Sequence, residues 1–215
     1  MKICVGIVSY LPEPGKIRDI RTERLKNLIM FVDKYFKLPI ILIAQNYKDL
    51  CIETEYSRIY MYKYEKPLGI VGARKELQRV FISSEFDNLI MMDDDLQLVG
   101  SNDSINSYLN KIRENPHGYG KFKSLLLHLF VISKELYKTI NYPDLDPCNG
   151  DFLEDLWLIK TLDKLYPGLS YGLSTPGLTC KADASCDPAS TWYHGQFNKS
   201  KMGDKARSLV NEYVK

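Results

Sequence analysis

Three consecutive carboxylates, Asp93-Asp94-Asp95, stand directly after the apolar run Asn88-Leu89-Ile90-Met91-Met92. Adjacent like charges repel, and a cation relieves that cost. Oxygen-only ligands suit a hard divalent ion such as Mg²⁺ or Mn²⁺. The apolar run reads as a buried strand, and ligand sites in open α/β sheets lie at the carboxyl ends of strands. The plainer alternative is a solvated turn, a setting that aspartate favours. Three aspartates at a strand end weigh towards the metal.

Other segments carry chemistry of their own. Gly69-Ile70-Val71-Gly72-Ala73-Arg74-Lys75 opens a predicted helix. Glycine allows close backbone approach, a helix N-terminus offers free N–H groups, and arginine pairs with phosphate. Taken alone, the segment is equally an ordinary helix start with a surface arginine. Further on lies Gly150-Asp151-Phe152-Leu153-Glu154-Asp155-Leu156-Trp157. Asp151 and Glu154 have the spacing of a capping box, which gives Glu154 a structural reason to be there. Asp155 sits about 100° further round the helix, so the cap does not explain it. Of the histidines, His117 and His128 read as surface and core, while His194 falls in Thr191-Trp192-Tyr193-His194-Gly195.

Taken in chain order, these segments resemble the GT-A glycosyltransferases, especially the family-2-like group. The strand and DxD motif match Leu89 to Asp95, the GxxxAR segment matches Gly69 to Arg74, and the ED motif matches Glu154-Asp155. The resemblance spans residue 3 to about residue 165, with His194 as an outlying fourth point. It implies a metal held by Asp93, Asp95 and His194, with Asp95 the foremost ligand and Asp93 reaching a ribose or a metal-bound water. It implies a nucleotide sugar, a UDP-sugar foremost, bound by Ser9, Tyr10, Gln45, Gly72, Arg74, Asp93, Asp94 and Trp157. It also implies a catalytic base, Asp155, with Glu154 as understudy, and an inverting displacement. The chain departs from the family pattern at two places: Lys75 stands for the usual Asn, and the second strand ends in Gln45-Asn46 rather than an acid. An amide can pair with uracil through both its donor and its acceptor.

The elements that must position these residues follow a β-α-β-α-β rhythm, which predicts an α/β fold with a mostly parallel central sheet. Strands are expected at Ile3 to Val8, Ile40 to Ala44, Arg58 to Tyr62, Asn88 to Met92 and Ser124 to Ile132. Helices are expected from Thr22 to Phe36, from Gly69 to Ser83 and from Asp151 to Leu165, after a loop from Leu11 to Asp19. Residues 167–197 read as loop and 206–213 as a further helix. The 215 residues suit one GT-A domain: a Rossmann-like nucleotide-sugar half over about 1–98, a smaller acceptor-side half over about 99–197, and a basic tail over 198–215.

Bulk composition narrows the alternatives. The 29 basic and 27 acidic residues leave a net charge of +2, which points to no nucleic-acid or membrane partner. Five cysteines without a CxxC pair argue against a disulfide framework or a zinc site, although Cys180 and Cys186 could bridge. No signal peptide or membrane span is visible, so a cytoplasmic protein is expected. The acceptor is then expected to be a glycan or glycoconjugate hydroxyl. A hydroxymethylated base of phage DNA is the alternative acceptor, and a basic face would be its signature. A nucleotide-sugar binding protein without catalysis, or a nucleotidyltransferase, stands behind these. The latter usually bears a Gly-rich basic loop after the first strand, and Pro12 to Arg18 is a poor version of one.

Overall fold

The structure is a computed structural model that describes residues 1–11, 16–122, 129–143, 154–182 and Val214, with only the backbone at 16, 17, 154, 155, 181 and 182. In chain order the elements are β1 Ile3–Tyr10, α1 Lys16–Phe31, β2 Ile40–Gln45, β3 Ile59–Tyr64, α2 Gly69–Ile82, β4 Asn88–Asp93 and β5 Leu96–Val99. They continue with α3 Asn102–Glu114, β6 Tyr119–Lys121, β7 Leu129–Ser133, α4 Lys134–Tyr137, α5 Glu154–Leu165, β8 Ser170–Gly172 and β9 Thr179–Ala182.

Seven strands form one sheet in the order β3-β2-β1-β4-β7-β6-β8. The β3-β2-β1-β4 block is parallel, and β7 then runs antiparallel to both β4 and β6. The sheet therefore crosses both expected halves of the domain. Alternate residues of β1, β2 and β4 feed two cores. Val5, Ile7, Leu42 and Met92 face α1 and α3, while Cys4, Ile43, Leu89 and Met91 face α2, α4 and α5. Both faces are covered, which is why these strands read as continuous apolar runs. β3 lies at the sheet edge and stays half-exposed along most of its length instead of alternating.

Several boundaries differ from expectation. Helix α1 begins at Lys16, inside the expected loop, and Thr22 is not its cap. The Thr22 hydroxyl donates to the Arg18 carbonyl at 2.8 Å, the back-bond of a mid-helix threonine. A π-helical turn, Val32–Phe36, completes the helix, and Lys37 ends it in the left-handed region at φ 53°. Asp33 in that turn accepts the backbone N–H groups of Glu55, Tyr56 and Ser57, which ties the turn to the approach to β3. The stretch 167–197, read as loop, contributes β8 and β9. Helix α3 is an additional element, opened by a reciprocal cap between Ser101 and Ser104. Among the described residues, no helix is long and apolar enough to cross a membrane. Cys4 and Cys180 are buried free thiols and Cys51 an exposed one.

Candidate active site at the β1–β4 switch point

The strand order reverses between β1 and β4, and at such a point the connections leave on opposite faces and open a crevice at the carboxyl edge. The register aligns Val8 of β1 with Asp93, the last residue of β4, and β1 runs on to Tyr10 at that edge. A cavity of about 460 Å³ lies there, lined by Val8, Tyr10, Arg21, Gln45, Pro67, Gly69, Ile70 and all three aspartates.

Asp93 and Asp94 take different environments. Asp93 closes β4, and its carboxylate is paired with Arg74. Arg74 lies on the inward face of α2, is 1% exposed and does not line the cavity. The expected direct phosphate contact is thereby replaced by an indirect role, because the packing of α2 against the sheet commits the guanidinium to the strand end. Asp94 turns back into the protein. It accepts a 2.6 Å hydrogen bond from the Ser9 hydroxyl, and Ser9 in turn meets the Tyr47 hydroxyl at 2.7 Å. Burial pushes the Asp94 carboxyl up to about 6, with Arg21 and the Ser9 hydroxyl pulling the other way. Ser9 is 1% exposed, so it acts on the cavity through Asp94 and does not line it. Asp94 and Asp95 form the turn between β4 and β5, and β5 pairs with β9 so that Leu96 faces Ala182. Cys180 of β9 lies close by. Burial, reinforced by the charges of Asp93 and Asp95, raises its thiol to about 12, so it stays protonated.

Gln45 ends β2 and is 2% exposed. Its Oε1 accepts the Leu68 N–H at 2.7 Å. Only the oxygen can accept, so this bond fixes the amide orientation. One of the two lone pairs of the Gln45 oxygen thus serves Leu68. Gly69, at φ 68°, lines the cavity where the chain enters α2. The expected Gly72 does not line it; a Cβ there would meet Leu68 at 3.2 Å.

Trp157 is also displaced from expectation. It is 3% exposed, sits in the core beneath α5 and packs on Tyr142 with ring centroids 5.2 Å apart. It does not line the cavity, because α5 needs it as an inward residue beside Leu158 and Leu162. Glu154 and Asp155 open α5, but their side chains lie outside the described residues, as do Asp151 and His194. Arg21 and Tyr47 are the site residues that sequence reasoning missed.

Among the described residues, no group of three His, Cys, Asp or Glu side chains is arranged to hold a metal. Asp93 and Asp95 nonetheless fit a hard divalent ion of the kind that takes one or two carboxylates and completes its shell with water and phosphate oxygens.

No family model matches the chain, and no curated protein matches it. Solved structures do. The 1–349 fragment of S. aureus TarS in complex with UDP matches with a TM-score of 0.56 at 10% identity, over 83% of this chain and 59% of that one. A Bacillus anthracis protein assigned as a glucose-1-phosphate thymidylyltransferase, with sucrose bound, matches at 0.54 and 9% identity, over 91% and 96%. HddC from Yersinia pseudotuberculosis matches at 0.50 and 12%, over 85% and 93%. At these identities the likeness shows the fold, and the chain is an α/β protein built like these structures around a mostly parallel sheet.

Proposed function

We propose that the chain is a metal-dependent glycosyltransferase that moves a sugar from a nucleoside-diphosphate sugar, a UDP-sugar foremost, to an acceptor hydroxyl on a glycan or glycoconjugate. The observation that carries the reading is the cavity at the β1–β4 switch point, floored by the aspartates that end β4. The likeness in fold to TarS bound to UDP agrees with it.

Asp93 and Asp95 would hold Mn²⁺ or Mg²⁺, with His194 completing the site. When bound, such an ion neutralises the charge that builds on a departing diphosphate. The other steps belong to this chain's residues. Arg74 fixes the orientation of Asp93. Tyr10 and Gln45 flank the nucleoside, the Gln45 amide donating to a base carbonyl. Asp155, or Glu154 in its place, takes the proton from the acceptor hydroxyl as that oxygen attacks the anomeric carbon. Attack opposite the leaving group inverts the anomeric centre.

Calorimetry with UDP and GDP, in Mn²⁺ and in EDTA, tests the donor site. UDP is expected to bind only with metal, and Asp95→Asn to abolish that dependence. Equal affinity in EDTA would remove the metal from the reading. The acceptor is tested by offering saccharides and hydroxymethylated DNA with one labelled donor; labelling of DNA alone would promote the DNA acceptor.

The thymidylyltransferase-like neighbour favours a second reading, nucleotidyl transfer, in which a sugar 1-phosphate attacks a nucleoside triphosphate and releases pyrophosphate. Pyrophosphate release from that substrate pair, with no transfer from UDP-sugars, would select it.

A further inference from the structure

We infer that Ser9 and Tyr47 are positioning residues that hold the aspartate turn in register with the end of β1; this rests on the donor reading above. The need for them follows from the sheet. β4 stops at Asp93, whose partner on β1 is Val8, whereas β1 runs on through Ser9 to Tyr10 beside β2. Beyond Asp93 the chain leaves the seven-stranded sheet, for β5 pairs with β9 in a separate two-stranded one. The main ladder therefore ends one residue short of Asp94. Ser9 and Asp94 are the pair that would come next in that register. There the side chains take over from the backbone: the Ser9 hydroxyl donates to the Asp94 carboxylate at 2.6 Å, within the range of a charge-assisted bond.

A second residue anchors the first. Ser9 is buried, and its hydroxyl meets that of Tyr47, also buried, at 2.7 Å. A serine hydroxyl has one proton to give. With that proton on Asp94, the Ser9 oxygen accepts, and Tyr47 is the donor of the pair. The chain of bonds thus runs in one direction, from Tyr47 to Ser9 to Asp94. Tyr47 reaches Ser9 from two residues past the end of β2. Between them Asn46 turns the backbone at φ 63°, a left-handed conformation that asparagine tolerates, and its Nδ2 donates to the Leu11 carbonyl at 2.8 Å. Arg21 adds a charge contact to Asp94 at 3.8 Å from α1. Neither Ser9 nor Tyr47 lines the cavity, so each acts through Asp94 on the turn that joins the proposed ligands Asp93 and Asp95. A ligand set works only when its supporting bonds hold it to within about half an ångström.

The test is calorimetry on the full chain with UDP and Mn²⁺. It compares the unaltered protein with Ser9→Ala, Tyr47→Phe, Asp94→Ala and the double variant Ser9→Ala/Asp94→Ala, each with a melting curve. Ser9→Ala is expected to weaken UDP by roughly three- to thirtyfold, and Tyr47→Phe by less, because the first change cuts both bonds and the second only one. In the Asp94→Ala background, Ser9→Ala is expected to weaken UDP no further, since its route to the ligand is already gone. If Ser9→Ala does not fold, Tyr47→Phe takes its place in the same cycle. A lowered melting temperature with UDP affinity unchanged would reduce the chain to a structural one, overturning the inference and leaving the donor reading intact. Losses that multiply in the double variant would also overturn it. Failure of the unaltered protein to bind UDP would sink the donor reading, and the positioning role with it.

Discussion

The pair Arg74–Asp93 shows how a single residue can serve stability and chemistry together. The guanidinium is 1% exposed and the carboxylate 26%, so the two ends of the pair respond differently to removal. Asp93→Ala takes the carboxylate from a cation that water cannot reach, at a cost of about 3–5 kcal/mol. Arg74→Met replaces the cation with an apolar chain of similar length and is expected to cost clearly less. Denaturant melts of the two variants decide the point, and equal losses would show that the pair is not asymmetric. Binding tests on Asp93 variants therefore need a melting curve beside them. The aspartate run was legible in the sequence because three like charges after an apolar strand have few structural explanations. The division of labour among them was not. It depends on Ser9, 85 residues away, and on Arg74, 19 residues away. Trp157 was misplaced because a tryptophan suits a sugar face and a helix core equally well.

Asp33 plays the corresponding part among the elements. Its carboxylate gathers three backbone N–H groups at 2.6–2.9 Å and so joins the turn after α1 to the approach to β3. Burial alone would raise its carboxyl, but the N–H donors of residues 55, 56 and 57 outweigh burial and hold it below the usual carboxylate range. A lowered folded value means that the stabilisation is fully present above the unfolded value, near 3.9, and is lost as pH falls through the folded one. Asp33→Ala is expected to destabilise by about 3 kcal/mol at neutral pH, and by less as the medium is acidified below about pH 4. Urea titrations at pH 7 and pH 3 measure this; a penalty that does not shrink at pH 3 would refute the assignment. The parallel block β3-β2-β1-β4 was readable from apolar runs separated by helices. Helix α3 was equally readable, from the Ser101 cap and from Ile105, Tyr108, Leu109 and Ile112 at helical spacing, and it went unassigned amid the less regular second half. The short strands β6, β8 and β9 carry too few residues for a period to show, and their pairing is decided by distant partners.

For the molecule as a whole, stability should fall from the centre of the sheet outward. β1, β2 and β4 are buried almost throughout, whereas β8, at one edge, is short and exposed. Hydrogen exchange is expected to spare the amides of residues 5–8 and 89–92 longest and to release those of 170–172 first. Uniform protection across the sheet would contradict that ordering. The reversal of direction at β7 has a consequence of another kind. Because β7 is antiparallel to β4, Leu129 stands opposite Met92, and β7 begins where β4 ends. β9 likewise finishes with Ala182 opposite Leu96, beside the aspartate turn. One wall of the cavity is thus made by the last residues of strands locked in the parallel block, Val8, Tyr10, Gln45 and Asp93. The place of the aspartates is therefore set from two sides at once, by the parallel pairing of β4 with β1 and by its antiparallel pairing with β7, so a slip in either seam would carry the floor of the cavity with it.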